Sequence, residues 1–167
     1  MKLMIQNNLI LKNEKEFLSD AIFPVSEEKL PLLIFVHGYK GYKDWGAWKL
    51  MGEKFADAGF YFVTFNMSHN GTTVLHPNNF ADLEAFGQNN YSRELADLEL
   101  VINHFKTQKE VDYDHITLIG HSRGGGVSVI KAAENKSITK LITLASVSSL
   151  DRFPKNEAFE DWKKEGV

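Results

Sequence analysis

Apolar residues along this chain come in short unbroken runs, and between the runs they recur at helical spacing. Residues 1–23 alternate apolar and polar positions in two pieces, 3–11 and 16–23, with Lys12-Asn13-Glu14-Lys15 between them. That pattern predicts an antiparallel hairpin or edge pair. A charged connector, 24–31, leads into Leu32-Leu33-Ile34-Phe35-Val36, which has no polar position and suits a strand buried on both faces of a parallel sheet. Trp48, Met51, Phe55 and Ala58 then follow helical spacing, and Gly59 marks a helix stop. Residues 60–65 are a second buried strand, so this segment reads as a βαβ unit with a right-handed parallel crossover.

Residues 66–91 break the alternation. They are rich in Asn, with Gly, His and Pro among them, as expected of a long loop that is either functional or flexible. Beyond them, Ser92 is the expected N-cap of a helix carrying Leu95, Leu98, Val101, Ile102 and Phe105 on one face. Asp112-Tyr113-Asp114-His115 turns the chain into a central strand, Ile116-Thr117-Leu118-Ile119. A helix follows Ser122 to about Glu134, residues 138–145 form a further strand, and Asp151 lies past its end. The tail, 156–167, has helical spacing at Phe159 and Trp162. Strands and helices alternating in this way predict the α/β class: a three-layer α/β/α sandwich with a mostly parallel sheet, in one domain over 1–167.

One stretch carries chemistry. After the central strand comes Gly120-His121-Ser122-Arg123-Gly124-Gly125-Gly126, a Gly-x-Ser-x-Gly sequence in a strand-turn-helix context. A serine at the tip of so tight a turn has a strained backbone, and side chains at the flanking positions would collide with the neighbouring strand and helix. The turn exposes the hydroxyl, and the helix N-terminus behind it offers N–H groups to an anion. Ligands of such sheets sit at the carboxyl ends of the strands. His37-Gly38, Ser68-His69, Ser122 and residues 146–151 all fall at that edge on this reading.

Composition narrows the picture mainly by exclusion. The net charge of −3 points to neither nucleic acid nor an anionic membrane as a partner. With no cysteine there are no disulfides and no thiolate nucleophile, which fits a reducing compartment, and a cytoplasmic location is expected. No apolar run approaches the ~20 residues of a membrane span. The histidines and carboxylates show no metal-ligand spacing, and no phosphate or dinucleotide loop is present, so neither metal nor cofactor is expected.

Three stretches resemble the α/β-hydrolase superfamily, nearest its dienelactone-hydrolase and prolyl-oligopeptidase-like branch. They are Phe35-Val36-His37-Gly38-Tyr39-Lys40-Gly41, Phe65-Asn66-Met67-Ser68-His69-Asn70-Gly71 and Gly120-His121-Ser122-Arg123-Gly124-Gly125, in the family's order over roughly residues 15–150. The resemblance implies a serine hydrolase of carboxylic esters or peptide-like acyl substrates. Ser122 would be its nucleophile, and the backbone N–H groups of Tyr39 and Arg123 would form the oxyanion hole. His37 is expected to brace its loop. Trp45, with Trp48, is either a wall of the acyl pocket or core packing, and Ser68, His69 and His121 are candidate substrate-binding residues. Lys40, Lys43 and Asp44 read as a solvated loop.

The family's acid and histidine follow its serine, and here no histidine follows Ser122. His104 falls in a helix, His115 at the wrong end of the sheet, and His121 is locked beside the serine. His69 and His76 lie in the long loop on the correct face. Asp151 is a candidate acid. The resemblance implies two further strands bearing the acid and base, so the chain reads as the first two-thirds of such a fold, truncated at its C-terminus. An open apolar sheet edge then makes self-association an expectation. Two other readings stand beside the hydrolase. One is a catalytically incomplete fragment or binding module, and the other is an acyltransferase or perhydrolase using the same site.

Overall fold

Residues 2–151, with Glu157, Glu160 and Lys164 beyond them, are described by a computed structural model. The elements are β1 (Leu3–Lys12), β2 (Glu16–Pro24), β3 (Leu30–Val36), α1 (Trp48–Asp57), β4 (Tyr61–Phe65), α2 (Leu83–Gly87), α3 (Tyr91–Phe105), β5 (Val111–His121), α4 (Arg123–Glu134) and β6 (Ile138–Leu144). One sheet has the order β1-β2-β4-β3-β5-β6. The last four strands in that order run parallel, and the β1–β2 hairpin joins antiparallel through β2 and β4.

Burial explains why β3 and β4 have no polar face. On one side Leu33, Phe35, Phe62 and Ile119 pack under Trp48, Met51 and Phe55 of α1. On the other, Leu32, Ile34, Val36, Val63, Ile116 and Leu118 meet Leu98, Val101, Ile102 and Phe105 of α3 and Val127 of α4. A strand covered on both faces keeps a near-continuous apolar run, which Thr64 alone interrupts in β4. The result is the expected three-layer sandwich.

Three local expectations are corrected. The N-cap of α3 is Asn90, not Ser92: its side-chain oxygen accepts the Arg93 N–H at 3.0 Å. Asp112-Tyr113-Asp114-His115 is not a turn but part of β5, where Val111 and Asp112 pair with Leu30 and Pro31 before a register shift. The long loop also contains α2, capped by Asp82, which accepts the Ala85 N–H at 2.9 Å.

β6 is an edge strand with Leu141, Ile142 and Leu144 each more than a third exposed. Residues 152–156, most of the predicted tail helix and its Phe159 and Trp162 lie outside the described residues. Among the described residues no helix is long and apolar enough to cross a membrane.

Candidate active site

Ser122 stands between β5 and α4 with φ 53° and ψ −119°. A non-glycine residue pays roughly 1–3 kcal/mol for such a backbone, and it persists only where the surroundings force it. The forcing contacts are visible. The Ser122 N–H donates to Leu144 O at 2.9 Å, and the Ser122 carbonyl accepts from Gly125 N–H at 3.0 Å and Val147 N–H at 3.2 Å. The exit of β6 and the first turn of α4 therefore hold the serine from both sides.

The flanking glycines are required by contact. A Cβ on Gly120 would lie 2.5 Å from Gly125 Cα, and one on Gly124 would lie 2.2 Å from the His37 carbonyl oxygen. These are backbone atoms that cannot step aside. Such packing draws α4 against the end of β3 and brings the loop after β3 to the serine. A Cβ on Gly38 would be 3.0 Å from Ser122 Cβ.

That loop, 37–45, is held from beneath. His37 is buried, its Nδ1 lies 2.9 Å from Gly38 O, and its Nε2 accepts the Met67 N–H at 3.3 Å. A carbonyl only accepts, so the proton sits on Nδ1 and the ring is neutral. Burial lowers its pKa to about 4, the Gly38 bond opposes this, and the Arg123 and His121 charges add to the depression. With both nitrogens occupied, His37 is a brace. Asn70 Nδ2 donates to Gly41 O at 3.1 Å, and the Lys43 N–H donates to Asn66 Oδ1 at 2.7 Å.

Lys43 overturns the reading of a solvated loop. It is 4% exposed, and its ammonium donates to Asp20 Oδ2 at 2.6 Å and Asp44 Oδ2 at 2.7 Å. A lysine is buried this deeply only when paired. Lys40 is exposed, with its ammonium 5.6 Å from the centre of the Tyr39 ring.

The other candidates divide into two groups. Tyr39 and His121 adjoin Gly38 and Ser122 in sequence, and His121 packs on Trp48 at 5.2 Å. Trp48 in turn meets Trp45 at 5.9 Å. Tyr39 and Trp45 are exposed, and Tyr39 lies 5.5 Å from Phe86 of α2. Ser68 and His69, in the loop after β4, are instead engaged with each other and with α3. Ser68 Oγ lies 2.8 Å from His69 Nδ1, and the Ser68 N–H donates to Asp97 Oδ2 of α3 at 2.8 Å. Burial and the Arg93 charge hold the His69 pKa below its usual value. Asp151 is exposed, and its N–H donates to Ser149 Oγ at 3.1 Å.

No histidine is hydrogen-bonded to Ser122 among the described residues. The His115 ring pairs with Asp112 at 2.7 Å, His104 packs on Phe105 at 4.9 Å, and His76 is exposed. Neither the Tyr39 N–H nor the Arg123 N–H has a partner among the described residues, so two donors stand unused beside the serine.

One ion pair beside the serine was not visible in the sequence. Arg123 Nη2 lies 2.9 Å from Glu94 Oε1, and Arg123 Nε donates to Glu94 Oε2 at 3.0 Å. Glu94 is buried in the first turn of α3, where burial raises its pKa against the pull of Arg123. The signal available in sequence was the cap: once Asn90 opens the helix, Glu94 falls one turn in, where a carboxylate is favoured.

The α/β hydrolase fold family profile matches residues 31–165, and the chain belongs to that family. Solved structures agree on the fold. DcsB, determined with a substrate analogue, superposes with a TM-score of 0.73 at 21% identity, covering 98% of this chain and 51% of that one. Est1E from Butyrivibrio proteoclasticus gives a TM-score of 0.67 at 21% identity, over 84% of this chain and 51% of that one. Dienelactone hydrolase from Anabaena variabilis gives 0.68 at 14% identity, over 85% and 64%. The chain thus spans about half to two-thirds the length of these proteins. No curated protein matches its sequence.

Proposed function

We propose that this chain carries the nucleophile and oxyanion hole of a serine hydrolase acting on carboxylic esters or peptide-like acyl groups. The observation that carries the reading is the strained Ser122 backbone, with φ 53°, beside two unbonded N–H groups. Ser122 Oγ attacks the acyl carbonyl and its proton leaves to a base. The carbonyl oxygen takes up the negative charge, facing the N–H groups of Tyr39 and Arg123. Collapse expels the alcohol or amine, which takes a proton, and leaves an ester on Ser122 that water then hydrolyses. Among the described residues no histidine is hydrogen-bonded to Ser122, so the scheme needs a base brought to the serine. Similarity to a dienelactone hydrolase and to Est1E supports the hydrolase class.

A second reading is favoured by one observation, that among the described residues no histidine is hydrogen-bonded to Ser122: a binding module that retains the fold without turnover. Treatment with an alkyl fluorophosphonate, with and without added imidazole as an external base, separates the two. Labelling that maps to Ser122, rises with imidazole and disappears in Ser122→Ala supports the hydrolase. Absence of labelling under both conditions supports the binding module.

A further inference from the structure

The guanidinium of Arg123 is the meeting point of three segments around the nucleophile. Its two nitrogens take both carboxylate oxygens of Glu94, at 2.9 and 3.0 Å. Glu94 is 4% exposed, and Asn89 Nδ2 donates to its Oε1 at 2.7 Å, so the carboxylate has no freedom to turn. The guanidinium also lies 4.2 Å from the centre of the Tyr91 ring and 5.9 Å from that of Tyr39. Tyr91 in turn donates its hydroxyl proton to Leu150 O at 3.1 Å, beyond the exit of β6.

The residues at the two ends of this arrangement are notable. Arg123 and Tyr39 are the residues whose N–H groups have no partner among the described residues, and the Arg123 guanidinium lies 5.9 Å from the centre of the Tyr39 ring. A bidentate arginine–carboxylate pair fixes a plane as well as a distance. A guanidinium held by Glu94 and lying 4.2 Å from one ring centre and 5.9 Å from another ties the first residue of α4 to the loop after β3.

We infer that Glu94 is a positioning residue: through the Arg123 guanidinium it fixes the spacing of the two oxyanion donors, and so the rate at which Ser122 is acylated. This rests on the reading of Ser122 as the nucleophile. Glu94 touches no reacting atom in this scheme, and it is buried on α3 beneath the site. Its effect is on geometry at the transition state, not on substrate binding, because a fraction of an ångström between donor and oxyanion changes stabilisation without changing the apolar contacts of the acyl group.

The test is the saturation kinetics of fluorophosphonate labelling of the full chain with imidazole present, read by intact mass. Glu94→Ala and Arg123→Lys are expected to lower the maximal labelling rate about 10- to 100-fold, with the half-saturating concentration within about twofold of the parent. Glu94→Gln keeps one oxygen for the guanidinium and is expected to recover part of the rate. Circular dichroism checks that each variant is folded, and Arg123→Lys decides if Glu94→Ala is not. Parent-like rates in both variants, a change confined to half-saturation, or Glu94→Gln as slow as Glu94→Ala would overturn the inference. If the parent is labelled at Ser122 and the variants match it, only the role of Glu94 fails. If the parent is not labelled at Ser122, the nucleophile reading fails and this inference with it.

Discussion

The ammonium of Lys43 donates to Asp20 across 2.6 Å, joining the loop after β3 to the second strand of the hairpin. Asp20 also accepts the Asn8 N–H at 2.7 Å, where β1 bulges with Asn8 at φ 57°. Asp44 completes the trio on the same ammonium. The hairpin is thus more than an edge extension of the sheet. It anchors the loop that carries Gly38 and Tyr39 against the nucleophile. A polar cavity of about 440 Å³ opens beside the trio, lined by Asp20, Lys43, Asp44 and Lys49 among others, and Ser122 is not on its wall.

Lys43→Met is therefore expected to destabilise the fold. Removing one partner of a buried pair leaves the other uncompensated, a loss of about 3–5 kcal/mol when both are fully buried. Partial exposure of the Asp44 side chain reduces this to roughly 2–3 kcal/mol. Urea denaturation measures it. Lys43→Met combined with Asp20→Asn should recover part of the loss, because the stranded charge is gone.

Much of the frame was legible because it rests on local pattern. The apolar runs of β3 and β4 and the glycines around Ser122 announce themselves by residue type alone. The long-range polar contacts do not. Lys43 reads as solvated because Asp20 lies far upstream on another element, and nothing local marks the lysine as buried. Glu94 and Arg123 are likewise distant in sequence and look like ordinary helix-surface residues. Helix α2 is too short to show a period, and both Asn90 and Ser92 are good caps, so composition could not choose between them.

The strain at Ser122 predicts opposite effects on stability and reactivity. Ser122→Gly relaxes the φ 53° backbone and is expected to raise stability by about 1 kcal/mol relative to Ser122→Ala, which keeps a Cβ in the same conformation. Neither variant can be acylated at this position. Thermal denaturation of the two, side by side, checks the difference. Equal midpoints would mean the backbone relaxes without the glycine.

His37 predicts a pH dependence whose sign follows from its depressed pKa. The folded ring takes a proton only near pH 4, whereas in the unfolded chain it does so near the ordinary histidine value of 6.5. The contribution of neutral His37 is therefore fully present above pH 6.5 and is lost as pH falls from there toward 4, by up to about 3 kcal/mol. His37→Gln should flatten that part of the stability curve, most visibly in the difference between parent and variant from pH 7 to pH 4.5. A difference that does not change with pH would show that the ring is not held neutral.

The central claim is that Ser122 accepts an acyl group, and trapping that group tests it most directly. The full chain is mixed with a p-nitrophenyl ester in the presence of imidazole, quenched in acid and digested, and its peptides are weighed. The account predicts an acyl mass on the peptide containing Ser122 and none on that peptide in Ser122→Ala. An acyl group found only elsewhere, or an unmodified Ser122 peptide while nitrophenol is released faster than by imidazole alone, would contradict it.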